Sequence, residues 1–212
     1  MCCDVVSAKP VAFFDFDGTL TTGDTLMPFL KFLVGSPIYY TKLTVNSHYI
    51  LAYFLKVLRN DVAKRLLLKG YLAGYRLGHL YEKGQKFADE IIPLMLRREG
   101  MELVKWHQSQ GHDCVLVSAS FDIYLKAWAR RENLSSVICT NLEEKDGGLV
   151  SDTIFGKNCH GNEKSERIAN WIKNHNPSKT YAYGDTAGDL PMLRTVDYGF
   201  MWNERKQQFV RV

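Results

Sequence analysis

Two aspartates separated by one residue follow an apolar run near the start of the chain. Val11-Ala-Phe-Phe leads into Asp15-Phe-Asp17-Gly18-Thr19. The run predicts a buried strand of a parallel sheet, and Asp15 and Asp17 would point the same way if extended backbone continued through them. Such carboxylates repel each other, which suits a divalent cation or a reaction with one nucleophilic and one protonatable carboxylate. A turn that caps the next helix is the alternative explanation.

Later apolar runs also lead into polar residues of matching chemistry. The carboxyl ends of parallel strands meet at one edge of a sheet, so these residues are expected to converge. Asp15 and Asp185 could hold Mg²⁺ through oxygen atoms, and small-residue amides could receive phosphate oxygens. Taken singly, each residue could equally be a helix cap, a turn residue or a surface lysine. The candidates that converge are Asp15, Asp17, Gly18, Thr19, Ser118, Ala119, Lys164, Asp185 and Asp189.

The apolar spacing predicts the elements that must position these residues. Strands that alternate with helices predict an α/β fold, with a doubly wound parallel, Rossmann-like sheet. Asp146-Gly147-Gly148 in the middle of residues 142–154 predicts a β-hairpin. The predicted strands cover 11–14, 114–117, 136–140, 180–183, 198–202 and 209–212, and the helices of this part cover 101–110, 121–132, 161–174 and 190–194.

Between residues 24 and 100 the strand-like runs disappear and helical spacing takes over. We expect a core domain made of residues 1–23 and 101–212, with residues 24–100 inserted as an all-helical cap domain. Pro93 is expected to kink or divide the last cap helix. The predicted cap helices cover 25–34, 39–58, 61–72 and 80–98.

Composition places the chain in an ordinary class. Its 212 residues are 46% hydrophobic and 24% charged, with a net charge of +4 and no concentrated basic run, so we expect no nucleic-acid partner. Five scattered cysteines without a CxxC pair argue against disulfides and zinc. The chain shows no secretory signal, and its most apolar window, 49–58, falls short of the ~20 residues that span a bilayer. We therefore expect a cytoplasmic protein, without a prediction of its oligomeric state; Cys2 and Cys3 could be acylated, although a frayed terminus explains them equally.

Four motifs in fixed order resemble those of the haloacid dehalogenase (HAD) superfamily. They are DFDGTLT, VSAS, a lysine in HGNEKSERI and GDTAGDLPML. The helical insertion directly after the first motif is similar to that of the phosphoserine-phosphatase-like branch, subfamily IB. The resemblance implies a Mg²⁺-dependent phosphatase that works through an aspartyl-phosphate intermediate.

The resemblance also implies a role for each candidate. Asp15 would attack phosphorus, and Asp17 would protonate the leaving alcohol and then activate water. Ser118 would bind the transferring phosphoryl group, and Lys164 would steady its charge. The remaining implied roles are Mg²⁺ binding by Asp15, the carbonyl of Asp17 and Asp185, with Asp189 positioning the metal shell.

Substrate choice would lie in the cap. Asp24 stands where phosphoserine phosphatases read the substrate's amino group, but it is equally placed to cap the helix that starts at Thr25. Ser118-Ala-Ser-Phe replaces the Ser-Gly-Gly-Phe that those enzymes tend to show, so the expected substrate is a small phosphorylated, phosphoserine-like metabolite rather than phosphoserine itself. The sequence does not identify an arginine for a serine carboxylate. Arg59, Arg65 and Arg76 are the candidates.

Two alternative functions remain open. The cap is rich in tyrosine and lysine, which suits a helical core with a wet face, or a surface that contacts a membrane and admits lipid headgroups. The second reading predicts a lipid-phosphate phosphatase or a phosphotransferase. A non-enzymatic phosphate-binding protein is the third hypothesis, disfavoured because no catalytic residue type is missing. His160 near Lys164 is expected to be a loop residue.

Overall fold

Seven strands form one sheet in the computed structural model, which describes residues 8–45, 66 and 68–212. The strands are β1 (Val11–Phe14), β2 (Asp113–Phe121), β3 (Ser136–Lys145), β4 (Leu149–Phe155), β5 (Thr180–Gly184), β6 (Tyr198–Asn203) and β7 (Gln208–Arg211). Their order is β4-β3-β2-β1-β5-β6-β7. The inner five strands are parallel and the two edge strands are antiparallel to their neighbours. The predicted doubly wound parallel sheet is confirmed.

The described helices lie in two groups, one in the segment after β1 and one between the later strands. Short helical turns cover Leu68–Leu72, Ile92–Met95 and Ala187–Asp189. The α-helices are α1 (Leu26–Val34), α2 (Ser36–Val45), α3 (Leu77–Glu90), α4 (Arg98–Ser109), α5 (Asp122–Arg131), α6 (Asn162–His175) and α7 (Leu190–Leu193).

Strand β1 is the centre of the sheet and is fully buried. All four of its residues have no exposed surface. It pairs in parallel with β2 on one side and β5 on the other, so Val11 lies opposite both Asp113 and Thr180. Ala12 and Phe14 pack into the larger hydrophobic cluster, and Val11 and Phe13 pack into a second one. Apolar residues on both faces are what a strand covered on two sides requires.

Several element boundaries differ from the sequence prediction. Helix α1 ends before Gly35, at a φ of +78°, as predicted. Helix α2 begins at Ser36 rather than at residue 39, because Pro37 fits the first turn of a helix, where its missing N–H costs nothing. Pro93 does divide the last predicted cap helix, since α3 ends at Glu90 and Pro93 lies in the following short turn. Helix α4 then starts at Arg98, three residues earlier than predicted.

Some predicted features lie outside the described residues. They are Cys2, Cys3, Arg59, Arg65, most of the two helices predicted over 39–58 and 61–72, and the apolar window 49–58. Only Ser36–Val45 and the turn Leu68–Leu72 represent the two helices.

The inserted segment leaves and rejoins the sheet at neighbouring points. Thr21 forms a β-bridge with Leu96, and the Arg97 amide donates to the Leu20 carbonyl at 2.8 Å. Helix α3 packs against α5 so closely that a Cβ on Gly84 would lie 2.0 Å from the Ile123 carbonyl oxygen. This contact carries the insertion onto the helix that follows β2.

The predicted hairpin is present, and the insertion pairs with it. Strand β3 runs parallel to β2 at its start and antiparallel to β4 at its end. On the other side of β4, Gly74 donates to the Val150 carbonyl at 3.0 Å and the Val150 amide donates to the Tyr75 carbonyl at 2.9 Å. Leu77 donates to the Gly148 carbonyl at 2.9 Å. The stretch 74–77 therefore covers the outer edge of the hairpin.

Among the described residues, no helix is long and apolar enough to cross a bilayer.

Candidate active site

Asp15 and Asp185 come together because β1 and β5 are neighbours. Each follows its strand directly, and the Asp15 amide still donates to the Tyr183 carbonyl at 2.9 Å. Thr19 lies between the two acids, because its hydroxyl donates to Asp15 Oδ2 at 2.9 Å and to Asp185 Oδ1 at 3.4 Å. With Asp189, they form a group in which one carboxylate oxygen from each residue lies within 4.8 Å of the others.

Lys164 lies inside this group of acids rather than on the surface. Its side chain starts in the first turn of α6 and is 4% exposed. The Nζ atom donates to Asp15 Oδ1 at 2.5 Å and to Asp189 Oδ1 at 2.7 Å. Asp189 Oδ2 in turn accepts from the amide and the hydroxyl of Thr186 at 3.1 and 3.0 Å. Asp189 is thus held by partners on both oxygens and fixes the ammonium beside Asp15.

Negative charge is in excess in this cluster. Burial raises the pKa of Asp15 to about 8, against the Lys164 ammonium and with the help of Asp189. Burial and then Asp189 raise the pKa of Asp185 to about 6. Burial opposes the net shifts of the other two groups, because Lys164 lowers the pKa of Asp189 and the carboxylates raise the pKa of Lys164. Three carboxylates share one ammonium, so the cluster retains protons.

A divalent cation would relieve the same excess. The group offers only oxygen donors, and a charge of +2 balances what Lys164 leaves uncompensated. Hard cations such as Mg²⁺ prefer carboxylate oxygens and retain bound waters. The residues present therefore fit Mg²⁺, with Asp15 and Asp185 as ligands.

Gly18 allows the turn after Asp17 to lie against Asp185. Its φ is +83°, and an added Cβ would lie 2.1 Å from Asp185 Oδ2. The turn is also held from outside the four motifs, because Arg97 donates from its guanidinium to the Gly18 carbonyl at 3.0 Å. Arg97 is 9% exposed and stacks on Trp202 at 4.0 Å. We did not predict Arg97 as a site residue, since it belongs to no motif.

Asp17 makes a separate set of contacts from Asp15. Strand β1 ends at Phe14, so the extended backbone that would align the two side chains does not continue. Asp17 Oδ1 accepts from the amide and the hydroxyl of Thr25 at 2.7 and 2.6 Å, and Asp17 Oδ2 accepts from the Ser120 hydroxyl at 2.6 Å. The two acids occupy different surroundings.

The Ser118-Ala119-Ser120 stretch belongs to β2. Ser118 is fully buried, and its Oγ accepts from the Ser120 amide at 3.0 Å. The next helix starts at Asp122, so Ser118 is not a helix cap. Ser120 was missing from the predicted site, although it follows Ser118 by two residues, the spacing at which strand residues share a face.

The remaining candidates lie around this cluster. Asp24 is exposed and its Oδ2 accepts from the Met27 amide at 2.9 Å, which is the contact of a helix cap. Arg76 is exposed and bridges to Leu149 in the backbone. His160 is exposed, and its Nε2 lies 3.1 Å from the position of a Cβ added to Gly188.

Comparison with known families gives a single match over most of the chain. Residues 12–194 match the model of the haloacid dehalogenase-like hydrolases. This range includes every residue of the cluster described above.

Individual relatives are more distant. Protein CicA of Caulobacter vibrioides is 30% identical over 184 residues, which cover 87% of this chain and 82% of the relative. Phosphoserine phosphatase SerB1 of Mycobacterium tuberculosis is 28% identical over 197 residues, covering 90% and 64%. A solved complex of phosphoserine phosphatase with its substrate has a TM-score of 0.63 at 22% identity, covering 91% of this chain and 84% of that one.

Proposed function

Because the chain belongs to the haloacid dehalogenase-like hydrolase family, we propose that it is a Mg²⁺-dependent phosphatase acting through an aspartyl-phosphate intermediate. Its expected substrate is a phosphomonoester of a small metabolite. The observation that carries the proposal is the buried contact of Asp15 with Lys164 and Thr19, within reach of Asp185 and Asp189. A buried nucleophile beside one fixed cation is arranged for a charged phosphoryl group.

The first step transfers the phosphoryl group to Asp15. A carboxylate oxygen of Asp15 attacks phosphorus, and the bond from phosphorus to the ester oxygen breaks. Asp17 gives its proton to that oxygen, so the product leaves as a neutral alcohol. Lys164 Nζ, fixed by Asp189, stabilises negative charge on the phosphoryl oxygens.

The second step removes the phosphoryl group with water. The Asp17 carboxylate takes a proton from the water as its oxygen attacks phosphorus, and the bond to Asp15 breaks. Inorganic phosphate leaves, Asp15 is a carboxylate again and Asp17 is again protonated. Ser118 and the amides of Gly18 and Ala119 are the proposed phosphate-binding groups.

Mg²⁺ would be held by Asp15, the Asp17 carbonyl and Asp185, and when bound it supplies positive charge to the phosphoryl oxygens. Asp189 is proposed as a positioning residue for this site, because Lys164 and Thr186 already occupy its two oxygens. Thr19 orients Asp15 and Asp185 toward one another.

The substrate class is proposed from the relatives and from the first turn of α1. SerB1 and the structural neighbour are named as phosphoserine phosphatases. Asp24 is the acid in this chain that stands where an ammonium group would be read, but its bond to Met27 favours a structural role. We therefore propose a small phosphoserine-like substrate without a fixed amine contact. The inserted segment 24–100 as a cap domain and a cytoplasmic location are proposals of the same rank.

A lipid phosphate is the second candidate substrate. Helix α2 exposes Ile38, Tyr40 and Val45, each more than half accessible, next to Lys42 on the same helix. Exposed apolar side chains with lysines suit contact with an anionic membrane surface. Sedimentation with phosphatidylglycerol vesicles tests this candidate, and protein that stays in the supernatant at low salt would exclude it.

The deciding experiment is a screen of phosphomonoesters with Mg²⁺, beside the variant Asp15→Asn. We expect turnover that EDTA abolishes and that falls at least about 1,000-fold in Asp15→Asn, because an amide cannot act as the nucleophile.

Asp152→Asn is the matched control, since Asp152 is an acid of β4 whose carboxylate pairs with Lys145 at 3.3 Å. It should retain activity. Turnover that survives Asp15→Asn, or that needs no divalent ion, would overturn the mechanism. A wild-type protein that turns over no phosphoester, including p-nitrophenyl phosphate, would favour a binding protein.

A further inference from the structure

We propose that Ser120 is a positioning residue for proton transfer, because its hydroxyl holds the oxygen of Asp17 that exchanges a proton with the substrate. This inference rests on the proposed function, in which Asp17 is the general acid. The Ser120 hydroxyl donates to Asp17 Oδ2 at 2.6 Å, and Ser120 is only 5% exposed. The bond joins β2 to the turn after β1.

The contacts of Asp17 distinguish its two oxygens. Oδ1 accepts two hydrogen bonds, both from Thr25, and so uses both of its lone-pair directions. Thr25 is itself buried, and its hydroxyl lies 3.2 Å from the hydroxyl of the buried Tyr124. Oδ2 accepts the one bond from Ser120 and keeps a second direction open. Because Asp17 is partly exposed, Oδ2 is the oxygen that can carry a proton toward a substrate.

The bond from Ser120 becomes stronger as the proton leaves. While Asp17 is protonated, Ser120 donates to a neutral carboxyl group. When the ester bond breaks and the proton moves to the leaving oxygen, Oδ2 gains negative charge, and a hydrogen bond to a charged acceptor is about twice as strong as a neutral one. An interaction that strengthens in this way favours the transition state over bound substrate. Ser120 should therefore affect catalysis more than binding.

The role is specific to the hydroxyl group. The Ser120 amide, which donates to Ser118 Oγ, is unchanged in Ser120→Ala. Removing the hydroxyl leaves the contact with Ser118 in place and removes only the bond to Asp17.

The test compares two substrates that differ in their need for a proton. Phenyl phosphate and p-nitrophenyl phosphate have similar shapes, but p-nitrophenolate leaves readily without protonation and phenolate does not. We expect Ser120→Ala to lower kcat/KM for phenyl phosphate about 10-fold more than for p-nitrophenyl phosphate, mostly through kcat. Asp17→Asn gives the upper limit of this difference.

Three further variants separate positioning from a structural effect. Ser120→Gly also lacks the hydroxyl and should show the same substrate difference, so it replaces Ser120→Ala if that variant does not fold. Ser120→Thr keeps a hydroxyl and should restore most of the loss on phenyl phosphate. Ser151→Ala removes another buried serine hydroxyl, on β4, and should change neither rate.

Each outcome has one meaning. Equal losses on both substrates in folded Ser120→Ala or Ser120→Gly, with an unchanged melting temperature, would overturn the positioning role. A wild-type protein that hydrolyses neither substrate would instead overturn the proposed function. A 10-fold difference that Ser120→Thr removes would support the inference.

Discussion

Asp15 has its two oxygens held by different partners, Lys164 on one and Thr19 on the other. Few motions remain to such a side chain, so the cost of orienting the nucleophile is met when the protein folds. The same closeness leaves little room for change nearby. Replacing Gly18 adds an atom between the turn and Asp185, whereas most surface positions would absorb a methyl group.

Gly18→Ala should remove activity without a large loss of stability. The new Cβ would lie 2.1 Å from Asp185 Oδ2, and the end of a side chain moves away more easily than backbone does. The displaced carboxylate can no longer share a cation with Asp15. We expect kcat/KM to fall roughly 100-fold or more. The measurement is phosphatase activity beside thermal unfolding.

Gly111→Ala is the matched control for this prediction. Gly111 has a similar φ of +73° but no atom within 4 Å of an added Cβ. Both variants carry the strain of a positive φ, roughly 1–2 kcal/mol, and should lose similar stability. Only Gly18→Ala should lose activity. Activity that is equal in the two variants would contradict the displacement of Asp185.

At the scale of elements, the contact of α3 with α5 joins the inserted segment to the sheet. Glycine at position 84 lets the two helices approach until backbone meets backbone near Ile123. Helix α5 carries Tyr124 and follows directly from the stretch that holds Ser118 and Ser120. Spacing between these helices is thus coupled to the position of site residues.

Gly84→Ala should destabilise the protein by about 2–4 kcal/mol, because the new Cβ would lie 2.0 Å from the Ile123 carbonyl oxygen and the helices must separate. Gly78→Ala, in the same helix with no atom within 4 Å, should stabilise it by about 0.5–1 kcal/mol. Chemical denaturation of both variants measures the two values. A Gly84→Ala variant as stable as the wild type would show that the helices do not pack this closely in solution.

The sequence predicts most elements, since each core strand is a short apolar run that ends at a polar residue. It is less informative where partners far along the chain decide the outcome. Ser118-Ala-Ser-Phe looked like a helix start, but pairing with β3 extends β2 through Phe121. Helix α4 starts three residues early because Leu96 and Arg97 pair with the chain near Leu20. No local pattern records such pairings.

The same distinction applies to the candidate site. Asp15, Lys164, Asp185 and Asp189 were predicted together, because each follows a strand or opens a helix at the same edge of the sheet. Arg97 was not, because only its distance to Gly18 reveals it. The prediction that Asp15 and Asp17 share a direction failed where extended backbone ends at Phe14.

For the whole molecule, His107 should make the fold sensitive to acid. It is fully buried, with Nε2 2.9 Å from the Tyr183 hydroxyl and Nδ1 2.8 Å from His112 Nδ1. Burial, with a smaller effect of His112, lowers the pKa of His107 from 6.5 to about 4. Between these values the unfolded chain binds more protons, so stability is complete above pH 6.5 and is lost as the pH falls toward 4. The loss is about 3 kcal/mol.

The measurement is the free energy of unfolding from pH 7.5 to 4.5. His107→Gln should flatten the dependence relative to the wild type, whereas His79→Gln, at a half-exposed position, should leave it unchanged. Comparing variants matters because the raised pKa of Asp15 acts with the opposite sign between about pH 4 and 8 and is common to all of them. Equal slopes in wild type and His107→Gln would show that His107 is not responsible.

The pairing of residues 74–77 with the β3–β4 hairpin has a mechanical consequence. Three backbone hydrogen bonds lie side by side along this edge, so they resist separation together and not one after another. If the inserted segment swings relative to the sheet, the hairpin must travel with it as the arm of a lever. The pivot would then lie in β3 between Leu142 and Glu144, where the register shifts and a strand bends most easily.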